Sequence, residues 1–378
     1  NFWVKSLENG DIYKKSYKGL YCIGCEEFKT EKELINGKCP LHQNTLEIIE
    51  EENYFFKLSK YRENLLNLID QNSDILEPRT KREELKNWIK KMEDISISRV
   101  KEKLPWGIDV PNDPSQVMYV WFDALTNYTN LFLNPDYPDN HEKLKEWWPG
   151  IQLFGPDNLR FQGAIWQSML NSVELPNTKK LLCHGMVLAE DGTKMSKSIG
   201  NGISPIDQYE KFGVEAVRFY LVSGISTYGD SPYKEQDLIN GYNSHLANNY
   251  GNLLNRVIHL ANKFSVKLND FEDVEDEFRE KVNTLKKQST EFFDAFELQL
   301  ASEKINEIAT YGNEYITLNK PWEIKDDFEK VRLILNNLSY LLTVVTELYE
   351  PIIPTSTEKA KQALESQEPI VLFAKLEK

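Results

Sequence analysis

The pair Cys22-x2-Cys25 and, thirteen residues later, the pair Cys39-x2-His42 constrain this chain more than any other feature. Two short arms that each carry two soft or borderline ligands can close on one tetrahedral ion. Gly24, Gly37 and Pro40 supply the tight turns at which each arm reverses. Three thiolates and one imidazole fill a coordination sphere, so the spacing predicts a structural site, and the nitrogen ligand favours zinc over iron. The competing reading is a set of buried cysteines beside an unrelated histidine. The remaining cysteine, Cys183, stands alone, which suits a metal site in a reducing, cytoplasmic setting better than a disulfide framework.

At 378 residues, 40% hydrophobic and 28% charged, the chain has material for two or three domains with separate cores. Its apolar runs fall far short of the roughly 18 to 20 residues that span a bilayer, so no membrane partner is expected. A net charge of -14 argues against coating nucleic acid through a global positive field, and any RNA contact must be local. The opening NFWVKSLENG begins with Asn and has neither a basic start nor an apolar cleavage-site pattern; it reads as a chain entered in mid-element.

No internal repeat organises the sequence, so composition and helix punctuation must. Residues 1–105 hold the cysteine cluster and a charged helical stretch from Lys81 to Asp94, closing at LPWGIDVPNDP. Residues 106–205 alternate short apolar runs (Val117 to Phe122, Ile151 to Phe154, Lys180 to Cys183) with a helix from Asn158 to Val173, the pattern of an α/β domain with a parallel sheet. Residues 206–240 form a linker and 241–378 are helical. Ser204-Pro205 offers an N-cap followed by proline at the first helical position. A helix from Gly241 to Phe264 buries Leu246, Leu253, Val257 and Leu260, and carries a polar stripe of His245, Asn249, Asn252, Arg256, His259 and Lys263. Taken alone, that stripe reads as a solvated face.

The stretch HGMVLAEDGTKMSKSIGN, residues 184–201, puts Lys194 and Lys197 among serines and glycines on a loop, positive charge that can reach a triphosphate. Its letters KMSKS resemble the second signature of the class I aminoacyl-tRNA synthetases. The zinc arms followed by ENYFFKLSKY, then DISISRVKEKLPWGIDVP, YVWFDALTNY, FGPDNLRFQGAIWQSML and HLANNYGNLLNRV resemble methionyl-tRNA synthetases in order and spacing. Leucyl, isoleucyl, valyl and cysteinyl relatives share the lysine loop without this ordered set.

The resemblance implies a fold and a set of site residues. The fold is α/β plus all-α: a zinc-knuckle connective domain, the second half of a Rossmann-like catalytic domain and a C-terminal helical anticodon-binding bundle, with 206–240 contacting the tRNA stem. Lys197, assisted by Lys194, would stabilise charge on the phosphates of ATP, which enters with Mg2+ as substrate. His184, Gly185 and Val187 would contact the nucleoside. Trp121, Tyr128, Asp157, Phe161 and Gln162 would line the methionine pocket, although Trp121 and Tyr128 also suit ordinary core packing and Asp157 also suits a helix cap. Gln162 and Pro156 stand where the family usually has histidine and lysine. Glutamine keeps a hydrogen-bonding group at the pocket rim without a titratable imidazole. Leu125 stands where some relatives have proline. Asn252, Arg256 and Trp322 would read the anticodon of initiator and elongator methionine tRNAs by edge contacts and stacking.

The family's first ATP motif, His-x-Gly-His, has no counterpart here, since the histidines are His42, His141, His184, His245 and His259. The expectation is therefore a methionine–tRNA ligase portion inactive alone, completed by a separate chain if the gene is split. A non-catalytic tRNA-binding protein is the alternative from another class, against which the intact lysine loop argues.

Overall fold

The computed structural model describes residues 2–23, 27–29, 31, 34–40, 44–133, 140–196, 200–268, 271 and 273–377. Contacts divide the chain into two compact units, Asn1–His184 and Gly185–Lys378. The division falls inside the segment 106–205, just before the lysine loop.

In the first unit, long antiparallel strands Ile12–Cys22 and Glu47–Phe56 pair from Ile12 opposite Phe56 to Tyr21 opposite Glu47. Their core end carries buried Ile12, Phe55 and Phe56, and their far end leads into the cysteine arms. A second antiparallel sheet joins Ser98–Val100, Asp113–Met118 and Asp109–Val110. The parallel sheet has three strands, ordered Leu76–Glu77, Lys180–Cys183, Ile151–Phe154. Parallel strands need crossovers, and the helical run between Ile151–Phe154 and Lys180–Cys183 supplies one.

The strands Ile151–Phe154 and Lys180–Cys183 match expectation, and the helix expected over Lys81 to Asp94 spans Thr80–Lys91. Two readings need correction. The apolar run Val117 to Phe122 is split: Val117 and Met118 end a strand of the antiparallel sheet, whereas Trp121 and Phe122 lie in the short helix Val120–Ala124. A short apolar run has no periodicity to separate strand from helix, and the backbone turns once Tyr119 N–H bonds Ile97 O. The parallel sheet also takes an edge strand from residues 76–77, upstream of the segment expected to supply it.

The second unit is mostly helical. Ser204 caps the helix Pro205–Phe212, its Oγ accepting from the Asp207 N–H. The helix expected from Gly241 to Phe264 is continuous with Glu235–Gly241 and contains a wide π-helical segment, Tyr242–Gly251, before regular Asn252–Phe264. Leu246, Leu253 and Val257 are fully buried in the bundle core, and Leu260 packs against it. The helices Leu298–Asn319 and Phe328–Tyr349 complete that core. At Gly312 a Cβ would stand 2.6 Å from Leu253 Cδ2, so the absence of a side chain lets Leu298–Asn319 lie close against Asn252–Phe264. Among the described residues no helix is long and apolar enough to cross a membrane.

Candidate functional site

In the first unit, the helical run after Ile151–Phe154 begins with a 3-10 turn, Pro156–Asn158, passes through a π-helical turn, Phe161–Ile165, and continues as Trp166–Ser172. Such π turns often mark functional positions because the extra residue re-aims side chains. Here it carries Phe161 and Gln162. Phe161 stacks on Trp121, ring centroids 4.2 Å apart and planes 20° from parallel. Trp121 is half-buried, so this wall keeps an open side.

Gln162 is not at a rim: it is 4% exposed, inside a polar chain. Its Nε2 donates to Tyr128 Oη at 3.0 Å and its Oε1 accepts from Gln152 Nε2 at 2.9 Å. Gln152 Oε1 in turn accepts from Thr178 Oγ1 at 2.6 Å, and Gln167 Nε2 donates to both Thr178 Oγ1 and Gln162 O. The chain holds the Tyr128 hydroxyl in place from beneath. Sequence reasoning missed Gln152, Gln167 and Thr178; glutamine inside the apolar strand IQLF was the available signal. Asp157 is exposed and lies within the 3-10 turn, whose N-cap is Gly155, so it is not the cap that the sequence allowed. It lines a groove of about 360 Å³ with Leu85, Trp88, Pro156 and Arg160.

Cys22 and Cys39 are both fully buried, and both approach Asn44: Cys22 Sγ lies 3.7 Å from Asn44 Oδ1, and Cys39 N–H bonds Asn44 O. Cys25 and His42 lie outside the described residues, as does Lys197. His184 ends the first unit, its N–H bonded to Phe154 O as the chain leaves the parallel sheet.

In the second unit, Gly185 is buried with its N–H bonded to Thr227 O, and a Cβ there would meet Gly229 O at 2.0 Å. Only glycine permits that approach. Val187 begins the short strand Val187–Leu188, paired with Ser231–Pro232. The chain then turns back so that Lys194 bridges to Leu188, leaving the Lys194 side chain exposed. Asn201 pins the base of the lysine loop, accepting from Ser196 N–H at 2.8 Å and donating to Lys194 O at 3.1 Å.

On the helix Asn252–Phe264, Asn252 is exposed and Arg256 one turn later is half-buried, its guanidinium carbon 5.8 Å from the Trp322 ring centroid. Trp322 sits in the 3-10 turn Pro321–Glu323 and is 39% exposed. The polar stripe divides: His245 and Asn249 are half-buried, and Asn252, His259 and Lys263 are exposed. Burial holds the His245 imidazole below its usual range.

A parallel sheet with its following helix, a lysine loop and a helical bundle bearing a polar and aromatic face are the parts expected of a class I aminoacyl-tRNA synthetase catalytic domain followed by an anticodon-binding domain. Comparison with known proteins makes the class specific. The family described as tRNA synthetases class I (M) matches residues 1–47 and 30–258, and the anticodon binding domain of methionyl tRNA ligase matches 267–372. The chain is 35% identical over 382 aligned residues to the methionine–tRNA ligase of Caldanaerobacter subterraneus, covering 99% of this chain and 59% of that protein. It is 36% identical over 378 to that of Thermotoga maritima, covering 97% and 59%. Mycobacterium tuberculosis methionyl-tRNA synthetase in complex with methionyl-adenylate superposes with a TM-score of 0.86 at 30% identity, over 95% of this chain and 73% of that one. This chain belongs to the methionyl family of class I tRNA synthetases. It spans 59% of the length of both curated relatives just named.

Proposed function

We propose that the protein carrying this chain is a methionine–tRNA ligase, joining methionine to ATP with release of pyrophosphate and passing the methionyl group to the 3′ end of initiator and elongator methionine tRNAs. The observation that carries the reading is the approach of the Arg256 guanidinium to Trp322, with exposed Asn252 one turn earlier on the same helix, in a chain from the methionyl family. An indole face is a stacking platform for an unpaired base, an amide pairs a donor with an acceptor toward a base edge, and a guanidinium is a fork of donors.

The Trp121 and Phe161 stack supports the amino-acid assignment. Flat rings offer a thioether a large contact area and favourable sulfur–aromatic contacts. Tyr128, fixed by Gln162, closes one side, and Asp157 is assigned to the same pocket from its place in the stretch GPDNLRFQ. His184, Gly185 and Val187 contact the nucleoside, with Gly185 letting the backbone come close. Lys194 and Lys197 stabilise negative charge on the phosphates of Mg2+-bound ATP as the carboxylate of methionine attacks the α-phosphorus.

Cys22 and Cys39, buried beside one residue, fit a metal site, and with Cys25 and His42 they would hold a structural zinc. That ion supplies cross-linking of the arms and takes no part in catalysis. Thiolate ligands suit the reducing cytoplasm.

The test uses one preparation of the protein carrying this chain. Methionine-dependent exchange of pyrophosphate into ATP is expected, together with preferential binding of stem-loops bearing CAU. Exchange driven by leucine or valine but not methionine, or equal binding of all stem-loops, would overturn the assignment.

A further inference from the structure

We propose that Asn313 is a positioning residue for anticodon recognition, holding the Arg256 guanidinium in its place above Trp322; this rests on the reading of Arg256 and Trp322 as anticodon contacts. Asn313 lies on the helix Leu298–Asn319, one residue after the glycine that brings that helix close to Asn252–Phe264. Its Oδ1 accepts from Arg256 Nη1 at 3.3 Å. Its Nδ2 faces only oxygens: Asn249 Oδ1 at 2.8 Å, Asn249 O at 3.2 Å and Ala309 O at 3.2 Å. A flipped amide would set its carbonyl against those acceptors, so the side chain has one orientation, with oxygen toward Arg256. Asn249 is itself tied to Leu298–Asn319, donating to Thr310 Oγ1 at 3.1 Å and Asn306 O at 3.3 Å.

The consequence is chemical. A free arginine samples many rotamers and must be ordered when RNA binds, and a guanidinium already fixed along one edge avoids much of that cost. One N–H held by Asn313 leaves the other donors of the fork for a base edge, while the planar face stays near the indole on which a base would stack. Asn313 touches no base in this scheme and acts through Arg256.

The experiment titrates stem-loops with CAU and with altered anticodons into the full chain and into Asn313→Ala, Arg256→Ala and the double variant, with thermal unfolding of each. Losing a hydrogen bond to a charged group should weaken CAU binding roughly tenfold in Asn313→Ala and narrow the preference over altered anticodons. In the Arg256→Ala background the same change should have no further effect. Should Asn313→Ala unfold too readily, Asn313→Ser, too short to reach the guanidinium, replaces it with the same expectation. Unchanged CAU affinity, or an equal loss in both backgrounds or for every anticodon, overturns the positioning role alone. A wild-type chain that does not prefer CAU overturns the anticodon reading, and this proposal with it.

Discussion

Trp121 and Phe161 come from different helical segments yet stack at 4.2 Å, and the Arg160 guanidinium sits 4.8 Å from the centre of the Phe161 ring. Replacing the indole by a smaller aliphatic group removes one ring of the pair and its contact with a thioether. Trp121→Leu should weaken methionine binding by about 0.3 to 1.5 kcal/mol. Calorimetric titration with methionine checks this, and an unchanged affinity would remove Trp121 from the pocket.

Gln162 shows what a buried polar chain demands. Gln162→Leu leaves Gln152 Nε2 and Tyr128 Oη without the partners they have now, at a cost of about 1 to 3 kcal/mol for the buried Gln152 amide and less for the half-buried Tyr128 hydroxyl. Denaturant unfolding should show that loss. Adding Gln152→Leu should cost less than the sum of the two single changes, because the second substitution removes a group the first orphaned. Strict additivity would refute the coupling.

Asp113 ties together elements of the two antiparallel sheets. Its carboxylate accepts from the Ser115 hydroxyl at 2.5 Å, from Lys14 Nζ at 3.0 Å and from the Tyr54 hydroxyl at 3.1 Å. The Ser115 hydroxyl first, then Lys14 and Tyr54, lower its pKa from an ordinary 3.8 to about 2. A depressed carboxylate contributes stability that is complete above its unfolded value and is lost as pH falls through its folded value. The first unit should therefore weaken between about pH 4 and pH 2. The difference in stability between wild type and Asp113→Asn should shrink across that window. A difference that stays constant with pH would contradict the assignment.

Zinc content is directly measurable. One ion per chain is expected, lost in Cys39→Ala, with the ends of strands Ile12–Cys22 and Glu47–Phe56 becoming sensitive to protease while the second unit melts as before. Metal-free protein whose thiols all react readily with the fold intact would rule the site out.

The second unit is legible in the sequence because its signals are local. Ser204 before Pro205 is a cap whatever surrounds it, and Leu246, Leu253 and Val257 declare a buried face by spacing alone. The first unit is harder. The resemblance puts Gln162 at a rim because nothing local shows that Gln152 and Tyr128 wait for it at positions distant in sequence. The strand Leu76–Glu77 is too short to carry a pattern. Asn313 escapes notice although Asn306, Thr310, Asn313 and Thr317 recur at helical steps, a polar stripe facing the one on the neighbouring helix.

The wide turn Tyr242–Gly251 sets the rotational phase of the helix Asn252–Phe264. Each residue of a regular helix advances the side chains by about 100° around the axis. Removing a single residue there without a change in winding would rotate Asn252 and Arg256 relative to Glu235–Gly241 while leaving hydrophobicity almost unchanged. The bundle could then keep its packing on one side of the turn only. The number of residues in this stretch is thus as tightly constrained as their identity, and a one-residue deletion should be more damaging than most substitutions within it.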